Sequence, residues 1–121
     1  MTKTRYHSVE TPIGFAEGKV VLVEKKGPRV LVVVRAWDES MIEVVFDEAL
    51  GFREAMSHEL SDLICSQSTG EFASWCTGRA YEGGHNEGES LFQFLDVDGE
   101  AAIEVVAKGV QIHVVRECKK N

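Results

Sequence analysis

Between Arg29 and Phe46 the chain reads RVLVVVRAWDESMIEVVF, two dense β-branched and aromatic runs separated by the polar cluster Asp38, Glu39, Ser40. Such runs on either side of a short turn-forming cluster predict a β-hairpin. Val30, Val32, Val34 and Ala36 fall on one side of the first run, and Leu31, Val33, Arg35 and Trp37 on the other. Successive strand residues point to opposite faces, so a strand that is apolar on both for most of its length belongs in the middle of a sheet. In the return strand Ile42, Val44 and Phe46 share one face, and Met41, Glu43 and Val45 the other. Upstream, Lys19 to Lys25 (KVVLVEK) predicts another strand, which Gly27 and Pro28 end in a turn. Residues 1 to 12 are polar and read as a poorly ordered arm leading to an edge strand near Ile13 to Ala16.

Beyond the hairpin the period changes. Phe52, Met56, Leu60 and Leu63 recur at steps of three and four residues, with Ile64 beside the last of them and charged or polar residues between. That spacing predicts an amphipathic helix from Phe52 to Leu63, closing over a sheet face. The C-terminal part returns to strand-like runs: Leu91 to Val97, Ala102 to Ala107 and Val110 to Arg116, joined at Asp98-Gly99 and Lys108-Gly109. They predict a β-meander, the alanine pair also permitting a short helix from Glu100 to Lys108. The expected fold class is α+β: a mainly antiparallel β-sheet of six or seven strands with one amphipathic helix packed on it.

One run echoes another. Leu31 to Trp37, Asp38, then Ile42-Glu43-Val44-Val45 resembles Leu91 to Val97, Asp98, then Ile103-Glu104-Val105-Val106, at a separation of 60 that becomes 61. Two hairpins related by an internal two-fold would produce this likeness, and so would coincidence in a Val-rich chain.

A chain of 121 residues fits a single domain spanning 1–121. Its net charge of -7 is unevenly spread: residues 41 to 107 carry 2 basic against 14 acidic side chains, while both ends are mildly basic. That field repels phosphate backbones and anionic lipid, so neither nucleic acid nor a membrane surface is an expected partner, whereas a basic protein is. The start, MTKTRYHSVE, has no apolar core of the kind a secretory signal carries, and the expected compartment is the cytoplasm. Cys65, Cys76 and Cys118 are an odd, unclustered set, which argues for reduced thiols.

The candidate chemistry lies in the Gly-rich acidic segment 66–90, SQSTGEFASWCTGRAYEGGHNEGES. Cys65, Cys76 and His85 lack the short paired spacings of closed zinc sites, and Asp96 to Glu100 places Phe94 and Val105 where a calcium loop needs carboxylates. No metal or cofactor is expected, and the Asp98-Gly99 tract reads as a hairpin turn with two solvated carboxylates. Phe72, Trp75 and Tyr81 are interface-forming residue types, and Glu71, Glu82, Glu87 and Glu89 would rim them for a basic partner. The same aromatics could instead tuck into the core and pin the loop. A Cys76-His85 pair is the alternative nucleophilic dyad. His113, between Ile112 and Val114, reads as an alternating strand residue.

The expected function is a small non-enzymatic protein-binding module that engages a basic surface, as inhibitors and toxin-neutralising immunity proteins do. The alternatives are a small enzyme or small-molecule-binding protein with a helix/sheet pocket using Cys76, His85 or loop carboxylates, and a subunit that forms a homodimer through open edge strands.

Overall fold

A computed structural model describes residues 6–9, 11, 14–54, 59–67 and 88–116 of the chain. These residues form β1 (Tyr6–Ser8), β2 (Lys19–Lys26), β3 (Arg29–Arg35), β4 (Met41–Asp47), β5 (Gly51–Glu54), β6 (Leu60–Gln67), β7 (Ser90–Asp96), β8 (Ala101–Ala107) and β9 (Gly109–Arg116). The strands make two antiparallel sheets, β1-β6-β7-β8-β5 and β2-β3-β4-β9. Alternate residues of both sheets meet in one core: Val30, Val32 and Val34 of β3, Ile42, Val44 and Phe46 of β4, Phe92 and Phe94 of β7, Ile103 and Val105 of β8. The ring of Phe46 lies 5.2 Å from that of Phe92 and 6.0 Å from that of Phe94, tying one sheet to the other. The architecture is therefore a two-sheet all-β arrangement whose core lies between the sheets.

No helix occurs among the described residues, so the α+β expectation is overturned. Where a helix was predicted from Phe52 to Leu63, the chain ends β5 and begins β6. The misreading has a physical cause. The pairing of β6 with β7 shifts by a residue between Leu60 and Asp62, a β-bulge that lets Leu60 and Leu63, three apart, both be fully buried in the core. A bulge thus imitates a helical step. Among the described residues the strand count rises to nine, against six or seven expected, partly for the same reason and partly through the three-residue β1 inside the expected N-terminal arm. The hairpin from Arg29 to Phe46 and the strand from Lys19 are present as expected. The C-terminal meander is only partly so: β7 and β8 pair, but β9 leaves for the other sheet and pairs with β4.

That departure reveals the plan of the molecule. β2, β3 and β4 are consecutive neighbours in one sheet, and β6, β7 and β8 are consecutive neighbours in the other. The strand after each trio crosses over: β5 joins β8, and β9 joins β4. The residue pairs coincide under the echo seen in the sequence. Val30↔Phe46, Val32↔Val44 and Val34↔Ile42 in β3/β4 answer to Ser90↔Ala107, Phe92↔Val105 and Phe94↔Ile103 in β7/β8. The turns coincide as well, since Ala36 and Asp96 donate their N–H groups to Ser40 and Glu100 carbonyls, both at 2.8 Å. Glu39 and Gly99 hold the same left-handed position, with φ of 69° and 81°. The echo is therefore structural: two four-strand halves exchange their fourth strands.

Phe15 closes the core at the start of β2, its ring 5.6 Å from that of Phe94 and nearly perpendicular to it. Gly18 follows, where an added Cβ would stand 2.9 Å from the Phe15 carbonyl oxygen and 3.1 Å from Val34 Cγ1. Only glycine lets the backbone come this close.

Candidate functional site

On the outer face of the five-stranded sheet, one row of residues runs across four strands: Ile64 of β6, Gln93 of β7, Glu104 of β8 and Arg53 of β5. β8 has strand neighbours on both sides, so the backbone and side chains of β7 and β5 shield whatever it points outward. Glu104 is consequently only 8% exposed. A carboxylate so placed must exchange water for protein donors on both oxygens. Arg53 Nε donates to Oε1 at 2.5 Å, and Gln93 Nε2 donates to Oε2 at 2.8 Å. The Arg53 side chain itself remains 60% exposed.

This trio lies at the wall of a concave site of about 780 Å³, whose lining adds Glu54 and Glu100 to the charged groups and Ile64, Leu95, Ala101 and Ala102 to the apolar ones. Three carboxylates thus face one guanidinium over a partly apolar floor. The charge contrast extends through the fold. The strands of this sheet carry one cationic residue, Arg53, against Glu54, Asp62, Asp96 and Glu104, whereas those of the other sheet carry six cations against three acids.

The neighbouring turn is held from within. Asp96 is 5% exposed, and its Oδ1 accepts N–H bonds from Asp98 at 2.9 Å and Glu100 at 3.0 Å. The expected pair of solvated carboxylates is therefore one buried turn-former, Asp96, and one exposed acid, Asp98. Ser61 Oγ donates to the Asp96 carbonyl at 2.8 Å, fastening the turn to β6.

The other sheet carries the counterpart row, Leu22, Val33, Glu43 and His113. Glu43 stands where Glu104 stands, and His113 where Arg53 stands, but Val33 replaces the amide of Gln93. His113 is exposed on β9, as an alternating strand residue should be.

Of the residues singled out from the sequence, Phe72, Trp75, Tyr81, Glu71, Glu82, Glu87, Cys76 and His85 lie outside the described residues. Glu89, expected on an open rim, is instead buried at 4% exposure, immediately before β7. Cys65 is a free thiol packed against the core. Arg53, Gln93 and Glu104 were not foreseen. Part of the signal was present in the sequence, since the echo repeats a glutamate at 43 and 104 and, beyond it, a basic residue recurs sixty residues apart at 53 and 113; nothing signals Gln93, whose counterpart is Val33.

Among the described residues no group of three His, Cys, Asp or Glu side chains is arranged to hold a metal ion, and no helix is long and apolar enough to cross a membrane. Among the described residues that line the concavity there is no hydroxyl, thiol or imidazole. What it offers is a charged recess with aliphatic walls, suited to the alkyl stem and cationic head of lysine or arginine. No protein-family model matches this chain, and neither the curated proteins nor the solved structures contain a match to it.

Proposed function

We propose that this protein is a non-enzymatic binding module that takes a basic segment of a partner protein into the recess on its five-stranded sheet. The observation that carries this reading is the composition of the recess among the described residues: Glu54, Glu100 and Glu104 against one cation, Arg53, over Ile64, Leu95, Ala101 and Ala102. Glu54 and Glu100 are exposed and free to meet an incoming cation, while Glu104, already held by Arg53 and Gln93, fixes the floor. Fixed acids around an apolar floor give orientation and long-range attraction, the terms that favour a correctly charged partner. Catalysis is the weaker reading, because the buried carboxylate is committed to two donors and no nucleophile lines the recess among the described residues.

The test is titration of the isotopically labelled protein with a capped peptide that alternates lysine and leucine, followed by amide chemical shifts. The shifts should centre on Ile64, Gln93, Ala101 and Glu104 and weaken as salt is raised. Glu54→Lys with Glu100→Lys should lower the affinity by about tenfold or more. Binding that ignores both salt and this charge reversal would remove the proposal.

A further inference from the structure

The exchanged-strand plan leaves the two halves unequal at one place. β6, the first strand of its trio, has β7 on one side and β1 on the other, with Tyr6↔Ser66, His7↔Cys65 and Ser8↔Ile64 in antiparallel register. β2, the first strand of the other trio, has β3 on one side, and among the described residues no strand pairs with its outer edge. The correspondence holds residue by residue. Ile64, Cys65 and Ser66 oppose Gln93, Phe92 and Leu91, while Leu22, Val23 and Glu24 oppose Val33, Val32 and Leu31. Leu22, Val23 and Glu24 therefore stand where the other half already accepts a strand.

We propose that the edge of β2 from Leu22 to Lys26 is a strand-acceptor site for an extended acidic segment of a partner protein. Pairing is geometrically prepared, because the register shift of β2 lies between Val20 and Leu22 and the acceptor stretch beyond it is regular. Val21 and Leu22 are exposed at 48% and 44%, giving an incoming strand apolar surface to cover. Its charge selects the occupant. β2 carries Lys19, Lys25 and Lys26 against Glu24, and the Glu24 carboxylate is already engaged by Lys26 at 3.5 Å. A second copy pairing antiparallel about Leu22 would set Lys19 against Lys25, and one pairing about Glu24 or Lys25 would set that charge against itself, so like charges face to face disfavour it. Main-chain bonds supply the affinity of an added strand, and these lysines would supply the preference for acids.

This inference does not rest on the recess of the five-stranded sheet, and the two fail separately. The experiment titrates the full labelled chain with a capped peptide alternating valine and glutamate, and with its valine and lysine counterpart. The acidic peptide should shift the amides of Leu22, Val23, Glu24 and Lys25 and slow their hydrogen exchange, while the lysine peptide binds at β2 about tenfold or more weakly. Both Lys25 and Lys26 are exposed, so Lys25→Glu with Lys26→Glu should leave the fold intact and reverse the preference. Acidic-peptide shifts centred away from β2, an equal response of the β2 amides to the two peptides, or an unreversed preference at β2 in the variant would each overturn the proposal. Concentration-dependent shifts at β2 without peptide would assign the edge to a second copy and overturn it as well.

Discussion

Replacing Arg53 by methionine keeps an aliphatic stem on β5 but removes the guanidinium from a carboxylate that is 8% exposed. Gln93 Nε2 then remains as a side-chain donor to Glu104. Stripping the partner from a fully buried ion pair costs about 3–5 kcal/mol. Here the Arg53 side chain is 60% exposed, so water reaches the vacated oxygen and the expected loss falls to about 1–2 kcal/mol. Glu104→Gln is gentler, at about 0.5–1 kcal/mol, because Gln93 can turn its amide and accept from the new one. The decisive quantity is the double variant Arg53→Met with Glu104→Gln. Removing the stranded charge should recover about 1 kcal/mol relative to Arg53→Met alone, a coupling that independent sites do not show. Urea denaturation followed by far-ultraviolet circular dichroism measures all four proteins, with equal slopes confirming that only stability has changed. If Arg53→Met is within about 0.3 kcal/mol of the parent, or the two losses simply add, the carboxylate is not held as argued.

Four further outcomes follow from the fold. Phe46→Ala, at a fully buried ring between Phe92 and Phe94, should cost about 3–5 kcal/mol in the same denaturation assay. Gly99→Ala should destabilise by about 1 kcal/mol from its φ of 81° alone, since nothing lies within 4 Å of an added Cβ. Its counterpart Glu39→Gly, exposed with φ of 69°, should instead gain about 0.5 kcal/mol. Thermal unfolding should be one transition, with calorimetric and van't Hoff enthalpies equal, because each sheet contains strands from both halves.

How much of this was legible depended on distance along the chain. The hairpin of β3 and β4 could be read because its alternation is regular and its turn residues are local. β5 and β6 could not, because a bulge at Leu60/Asp62 and a short first strand together spaced apolar residues as a helix does. The site was hidden by the same error. Arg53 was assigned to a helix face, whereas its partner Glu104 lies 51 residues away and meets it only because β5 changes sheets. Nothing local distinguishes Glu104 from the thirteen other acids between residues 41 and 107. The burial of Asp96 was equally invisible, since it depends on the turn folding back on its own first residue.

The exchange of fourth strands explains why two similar halves have come to offer different surfaces. Because β5 crosses to β8 and β9 to β4, the outer row of each sheet combines three residues from one half with one from the other. The glutamate at the centre is common to both rows, so the character of each surface is set by its flanks. Gln93 and Arg53 give Glu104 two donors, and the acids of the nearby turn then tip the recess negative. Val33 and His113 leave Glu43 among apolar and weakly basic neighbours, and the lysines and arginines of β2 and β3 tip that sheet positive. Under the two proposals above, opposite charge on the two sheets would repel like-charged partners at each surface and favour a different one at each. On this reasoning the recess and the β2 edge are separable by charge reversal: acids changed on one sheet should leave binding at the other intact, since the recess and the β2 edge lie on different sheets.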